Sequence, residues 1–183
     1  ADGTLTELEG IGDSTGTAIA EAARGLVPEY QRKLEASTVI PLELEEGKAI
    51  RAALRGDCHM HSHWSDGGAP IEAMARNAMA LAHEYVVMTD HTPRLTVAHG
   101  LNRDRLLAQL DEIAALNEAL APFRILTGIE VDILEDGALD QDEDLLGRLD
   151  LVVASVHSKL RMDAKAMTER MVLAMASPHT DIL

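Results

Sequence analysis

The chain has 183 residues, which is enough for one globular domain with a buried core and a short appendage. Its 31 acidic and 16 basic residues give a formal net charge of −15, and this negative field argues against nonspecific coating of nucleic acid. No run of about eighteen apolar residues occurs, and we recognise no secretory signal pattern. The single cysteine, Cys58, excludes an internal disulfide, so we expect a cytoplasmic protein without a membrane partner.

The first segment, residues 1–27, has two short helical patterns joined by Gly10, Ile11 and Gly12. Glycine supplies the backbone freedom of a tight turn, so this pattern predicts a helical hairpin. Residues 28–50 are acidic, lack a clean period and end in PLELEEGK, so we interpret them as a linker. The main domain is therefore predicted to occupy residues 51–183.

Strand and helix patterns alternate after this boundary. Asp57–His61 alternates polar and apolar residues, which predicts a first strand with its aspartate and two histidines on one face. A proline followed by an apolar stripe predicts a helix from Pro70 to Ala82. Later strands are predicted at Tyr85–Met88, Arg124–Ile129 and Leu151–Ser155, and Thr180–Leu183 has the pattern of a fifth strand's opening.

Two further helices are predicted between these strands. Asn102 and Asp163 are expected to cap their amino-terminal ends, and Asn117 interrupts the apolar stripe of the first helix. In the second helix we expect an inward, apolar core stripe, formed by Met167, Met171, Val172 and Met175.

This alternation predicts an α/β fold with parallel strands. His91, Glu130 and His157 each follow a predicted strand, at the carboxyl edge where (β/α) barrels and open α/β sheets carry out their chemistry. Four or five strands cannot close a barrel. We therefore expect the chain to be a fragment of a longer protein, with completion by another copy as the alternative.

His59, His61 and Asp66 combine imidazole with carboxylate, a ligand set that suits zinc, manganese or iron. By itself a His-x-His pair is equally well explained as a structural or surface pair. His91, Glu130 and His157, which follow the next three strands, make a metal site the better explanation. The pattern therefore predicts metal binding at one rim of the sheet.

Four separated segments, GDCHMHSHWSDG, TDHTPRLTVAHGL, GIEVDILEDGALD and LDLVVASVHSKL, resemble the PHP (polymerase and histidinol phosphatase) domain. The last two are similar to the form attached to bacterial X-family DNA polymerases. The resemblance covers residues 56–183 and implies the N-terminal portion of a distorted seven-stranded (β/α)7 barrel. It also implies phosphoester hydrolysis at a site for up to three divalent metals, and further ligand motifs of the family would follow Leu183.

The resemblance aligns six positions with metal ligands: His59, His61, Asp66, His91, Glu130 and His157. Glu130 is expected to bridge two metals, and His59, His61 and Glu130 are expected to support catalysis through metal-activated water. No protein nucleophile is needed.

Residues near this set have less specific interpretations. Cys58 alternates away from the histidines and is interpreted as a small apolar residue of the interior. Asp57 and Asp90 are predicted to orient neighbouring histidines. Three cationic residues after the histidine motifs are candidates for binding substrate phosphate, although solvated loop charges explain them equally well: Arg94, Lys159 and Arg161.

The segment LTELEGIGDSTGTAI resembles a helix-hairpin-helix motif, in which amides around the turn, here at Gly10 and Gly12, contact a DNA phosphate. Asp13 and the scarcity of basic residues give a purely structural hairpin equal weight.

Three functional hypotheses follow. The leading one is a metal-dependent phosphoesterase of DNA repair acting on DNA ends, as a 3′-5′ exonuclease or a 3′-phosphatase, which the polymerase-type motifs and the hairpin favour. A phosphatase for a small monoester, of the histidinol phosphatase type, fits the acidic charge better. A non-catalytic module, DNA-associated or regulatory, is the third.

Overall fold

A computed structural model of the chain describes residues 5–8, 10–37 and 45–183. The chain divides into two compact units, Ala1–Ala53 and Leu54–Leu183. Within the described part of the first unit lie a 3-10 turn and three helices: the turn Leu5–Glu7, α1 (Asp13–Ala23), α2 (Glu29–Ser37) and α3 (Glu45–Ala53). Among the described residues, no helix is long and apolar enough to cross a lipid bilayer.

The segment before α1 matches the predicted helical hairpin only in part. Gly10 has a φ of +84°, in the left-handed region that favours glycine, and Gly12 is the N-cap residue of α1. The described residues on the amino-terminal side form a 3-10 turn rather than a helix, so the hairpin is not confirmed. The predicted linker over residues 28–50 includes α2 and part of α3, and its residues 38–44 lie outside the described ones.

The second unit contains a sheet of four parallel strands that follow one another in chain order. The strands are β1 (Gly56–Met60), β2 (Tyr85–Met88), β3 (Arg124–Asp132) and β4 (Leu151–Ser155). Ile182 forms an isolated parallel bridge with Val153 of β4. The sheet is curled into a half-barrel, which confirms the predicted α/β class and agrees with a partial barrel.

The second unit, Leu54–Leu183, has four α-helices, which are α4 (Ile71–Ala80), α5 (Arg103–Ala119), α6 (Glu143–Leu146) and α7 (Ala164–Met175). Two of them, α5 and α7, begin at the predicted caps. The Asn102 side chain accepts the backbone N–H of Arg105 at 3.0 Å. The Asp163 carboxylate accepts the N–H groups of Lys165 and Ala166, each at 3.1 Å. These contacts satisfy amides that have no partner within the helix, so both predicted caps are confirmed.

Two buried apolar clusters hold the helices on the sheet. One is formed by Ile71, Ala75, Ala78, Val86, Met88, Ile113, Leu120, Phe123 and Ile125. The other is formed by Leu101, Leu106, Ile129, Val131, Ile133, Leu145, Leu146, Val152, Ala154 and Ala174. Helix α5 contributes to both, through Ile113 and Leu106. Each fully buried large apolar side chain stabilises the fold by about 1.5–3 kcal/mol.

The predicted apolar stripe of α7 is partly wrong. Val172 is 56 % exposed and Met175 is 59 % exposed, whereas Arg170 and Ala174 are the buried residues of this helix. The Arg170 guanidinium donates hydrogen bonds to the carbonyl oxygens of Ile133, Leu134 and Ser158. These bonds turn the arginine inward and orient the helix, because a buried charged group is stable only when it is well hydrogen-bonded.

Candidate metal centre

Six side chains converge at the carboxyl edge of the half-barrel. They form three overlapping groups with the composition and proximity that a metal ion needs: His59, His61 and Glu130; His61, Asp66 and His91; and His91, Glu130 and His157. The members are the six residues that the sequence predicts as ligands. Their convergence is a feature of the structure, and their roles as ligands stay a prediction.

Glu130 lies at the centre of the cluster and is only 5 % exposed. Its Oε2 atom is 3.3 Å from His59 Nε2, 3.4 Å from His61 Nε2 and 3.1 Å from His91 Nδ1. Its Oε1 atom is 3.3 Å from His157 Nε2. The two oxygens therefore face different histidines, which is the arrangement that a bridging carboxylate requires.

The spacing of the ligand atoms agrees with a shared cation. His59 Nε2 and His61 Nε2 are 3.0 Å apart, and Asp66 oxygens lie 3.4 Å from His61 Nδ1 and 3.5 Å from His91 Nε2. Two ligands at about 2.0–2.1 Å from a tetrahedral zinc ion are about 3.3 Å apart. The observed distances of 3.0, 3.4 and 3.5 Å are close to this spacing.

Buried nitrogen atoms without hydrogen bonds give an independent test of this fit. The Nδ1 atoms of His61, His91 and His157 are buried and make no hydrogen bond. Such atoms cost free energy unless another group binds them. Burial also lowers the pKa of His91, although Glu130 opposes the shift, so the neutral imidazole with a lone pair for a metal is favoured. The residues present fit divalent metals.

The groups share His61, His91 and Glu130, and this sharing limits how they can bind metal. A neutral imidazole offers one lone pair, so each shared histidine can serve one ion at a time. A carboxylate has two oxygens and can serve two ions. Glu130 is therefore the shared residue best suited to join neighbouring metal positions.

An irregularity in β1 helps to aim its histidines. The pairing of β1 with β2 shifts between Asp57 and Met60, and the backbone N–H of His59 donates to the Asp57 carboxylate at 2.9 Å. Irregularities of this kind change the direction of a side chain. Asp57 thus contacts the backbone of His59, whereas we predicted that it would contact a histidine side chain.

The prediction that Asp90 orients a histidine is also not met. Asp90 is fully buried and accepts hydrogen bonds from Ser62, Ser65 and Gln109. It therefore fixes the loop that follows β1. This loop carries Asp66.

One residue that contacts the cluster was missed in the sequence. Asp132 is 2 % exposed, its Oδ1 atom accepts the backbone N–H of His157 at 3.1 Å, and the same atom lies 3.6 Å from His157 Nδ1. Asp132 follows Glu130 by two positions and therefore points to the same side of β3. This spacing was the available signal.

The other predicted residues lie outside the three groups. Cys58 alternates with the exposed Asp57 and His59 as predicted, but it is only partly buried, so its interpretation as a residue of the interior is met in part. The backbone N–H of Arg94 donates to Asp140 at 2.7 Å, and Lys159 Nζ is 4.0 Å from Glu135.

Arg94, Lys159 and Arg161 are exposed residues of the loops that follow β2 and β4, and their contact with substrate stays a prediction. Gly10 and Gly12 belong to the first unit, and their contact with DNA stays a prediction as well.

A parallel half-barrel with imidazoles and carboxylates at its carboxyl edge defines an α/β protein with a candidate metal centre. A family model for the PHP domain matches residues 57–179. The chain therefore belongs to the PHP family, and the resemblance found in the sequence is confirmed.

Named relatives fall into two kinds. The DNA polymerase/3′-5′ exonuclease PolX of Bacillus subtilis is 44 % identical over 130 residues, which are 71 % of this chain and 23 % of that protein. A probable phosphatase of Thermoanaerobacter sp. is 31 % identical over 67 % of this chain and 51 % of its own length. One of Acetivibrio thermocellus is 30 % identical over 69 % and 52 %. The chain thus spans less than a quarter of the polymerase and about half of the phosphatases.

Proposed function

We propose that this chain carries the metal centre of a phosphoesterase of DNA repair that acts on DNA ends, as a 3′-5′ exonuclease or a 3′-phosphatase. The observation that carries the proposal is the convergence of four imidazoles and two carboxylates at the carboxyl edge of the sheet. The relative of higher identity, at 44 %, bears the name of a polymerase and 3′-5′ exonuclease, and this favours DNA as the substrate.

The protein's own residues divide the work at this edge. Glu130, His61, His91 and His157 are largely buried and hold the inner side of the centre, whereas the His59 side chain is 43 % exposed and borders the open side. Divalent zinc, manganese or iron bound here would polarise the phosphate and lower the pKa of a bound water toward 7.

Substrate phosphate would meet cationic groups on the loops beside the centre. Arg94, Lys159 and Arg161 follow the two histidine motifs and are exposed, so their side chains are available to a ligand. Their guanidinium and ammonium groups complement phosphate oxygens. We assign them to substrate binding within this proposal.

A small-molecule phosphatase is the second candidate, and the net charge of −15 favours it. A negative field repels the long anionic backbone of DNA more strongly than it repels one phosphate group. The relatives named as probable phosphatases fit this candidate, although their names specify no substrate. Both candidates use the same metal centre.

Substrate preference distinguishes the candidates. The full-length protein is loaded separately with zinc, manganese and iron, and hydrolysis is measured on 3′-phosphorylated DNA, unmodified single-stranded DNA and histidinol phosphate. We expect hydrolysis of the DNA substrates to be faster. Preference for histidinol phosphate would support the second candidate, and a metal-loaded protein that hydrolyses none of the three would refute both.

The ligand assignment is tested with His59→Ala and Glu130→Ala. Each variant should lose at least one bound metal ion per chain, measured by elemental analysis after dialysis, because a ligand atom is removed. His63→Ala is the matched control, since His63 is an exposed histidine of the same segment outside the three groups. Unchanged metal content in both ligand variants would overturn the assignment.

A further inference from the structure

Helix α5 has a polar stripe on the side that faces the loop after β1, which carries Asp66. Arg105, Gln109 and Glu112 are spaced at four and three residues and therefore share one face of the helix. Gln109 is fully buried, and the other two are partly buried. Burying such residues costs free energy unless each one has a partner.

Arg105 and Glu112 both hold Trp64. The Arg105 guanidinium donates to the carbonyl oxygen of Trp64 and, at 2.9 Å, to that of Gly100, and it lies 5.8 Å from the centroid of the Trp64 ring. Glu112 accepts a hydrogen bond from Trp64 Nε1 at 2.7 Å. Trp64 is thereby fixed through both its backbone and its side chain.

Gln109 reaches the same loop through Asp90. Its amide nitrogen donates to Asp90 Oδ2 at 2.6 Å. The Asp90 carboxylate also accepts the N–H and hydroxyl groups of Ser62, at 2.8 and 2.7 Å, and those of Ser65, at 3.1 and 2.5 Å. Five hydrogen bonds to one fully buried carboxylate fix both serines firmly.

The loop from Ser62 to Gly67 closes tightly around these contacts. The N–H of Gly67 donates to the carbonyl oxygen of Ser62 at 2.9 Å, and a Cβ added at Gly67 would lie 2.5 Å from the carbonyl oxygen of His61. Asp66 sits inside this closure, and its side chain is 49 % exposed. The backbone of the loop therefore sets where the Asp66 carboxylate lies.

We propose that the polar stripe of α5, acting on the loop directly and through Asp90, positions Asp66 for the metal group of His61, Asp66 and His91. Gln109 and Asp90 are positioning residues in this inference. It rests on the proposed metal-binding function. Its specific consequence is that loss of the Gln109–Asp90 contact weakens the ion held by Asp66 more than the ions held without Asp66.

The test is a zinc titration of the metal-free full chain. Binding is monitored by calorimetry and by the fluorescence of Trp64, the only tryptophan of the sequence. Gln109→Glu removes the N–H donor and brings a second carboxylate against Asp90, so the contact is lost and the two groups repel each other. One class of zinc ion should then bind about 10–100-fold more weakly, as when other groups that support metal ligands are removed. The change in Trp64 fluorescence on zinc binding should become smaller as the affinity of this class of ion falls.

Asp90→Asn provides the rescue. In the single variant the Gln109 amide can turn over and the serine hydroxyls can rotate, so zinc binding should weaken less than in Gln109→Glu. In the double variant Gln109→Glu/Asp90→Asn, an amide again faces a carboxylate, and zinc affinity should return. Asp111→Asn, on the exposed side of the same helix, is the matched control.

Circular dichroism and thermal unfolding check that each variant is folded, and Gln109→Met replaces Gln109→Glu if the charged variant is not. The inference is overturned if the Gln109 variant binds zinc like wild type, if every class of ion weakens equally, or if Asp90→Asn fails to rescue. Wild-type protein that binds no zinc, manganese or iron would instead refute the proposed function.

Discussion

Gly100 closes the loop that follows His91, and it does so at very short range. A Cβ added there would lie 1.8 Å from the carbonyl oxygen of Thr92 and 2.9 Å from that of His91. The next residue, Leu101, donates its N–H to the His91 carbonyl at 2.6 Å. The backbone around a proposed ligand is therefore packed too closely for any side chain at position 100.

Gly100→Ala should lower the free energy of unfolding by about 1–3 kcal/mol, because the added methyl group must displace backbone. Urea unfolding followed by circular dichroism measures this change. Gly68→Ala is the matched control, since its added Cβ would meet no heavy atom within 4 Å. We expect the control to change the free energy by less than about 1 kcal/mol. Equal destabilisation of both variants would contradict the steric explanation.

At this scale the sequence predicts residue types better than contacts. His91, Glu130 and His157 could be placed at one edge because each follows a parallel strand. The partners of Asp90 could not be predicted, because Ser62, Ser65 and Gln109 are brought together by a loop and a helix that are far apart in the chain. Hydrogen bonds between distant segments leave no periodic signal.

In helix α5 the apolar stripe alone does not show what each residue of the stripe does. Asn117 interrupts its apolar stripe, yet its side chain donates to the carbonyl oxygen of Ile125 at 2.8 Å and accepts the N–H of Ile125 at 2.7 Å. β4 pairs with β3 only from Gly128 onward, so Ile125 lies before the paired region. Asn117 therefore takes the place of a neighbouring strand at the beginning of β3.

Asn117→Leu would complete the apolar stripe and should nevertheless destabilise the protein by about 1–3 kcal/mol, because both backbone groups of Ile125 would lose their partner. Thermal and urea unfolding measure the effect. Asn77→Leu, on α4, is a suitable comparison because Asn77 is an exposed helix residue. A gain of stability in Asn117→Leu would show that the apolar pattern outweighs these two hydrogen bonds.

The strands were more predictable than the helix faces. β2 and β4 have the predicted bounds, because short apolar runs between turn residues are typical of buried parallel strands. The faces of α7 were predicted wrongly at Val172 and Met175, because the buried position belongs to Arg170. Its inward direction depends on carbonyl oxygens of other elements, which sequence periodicity does not report.

For the whole molecule, the parallel order of the strands could be predicted because strand and helix patterns alternate. That order brings ligand types from separate segments to one edge. The irregularity in β1, which changes the direction of its histidines, is not visible in the pattern.

The central position of Glu130 has a thermodynamic consequence. On the proposed ligand set, the first ion immobilises this carboxylate and withdraws its negative charge, so a second ion meets a site that is better ordered but less anionic. These effects do not cancel in general, and we expect a coupling free energy of about 1–3 kcal/mol between the ions. Calorimetric zinc titration should therefore reject a fit to independent sites, and Glu130→Gln should reduce the coupling. Ions that bind independently in wild type would contradict a shared carboxylate, whereas coupled binding would mean that the occupancy of one metal position sets the affinity of its neighbour.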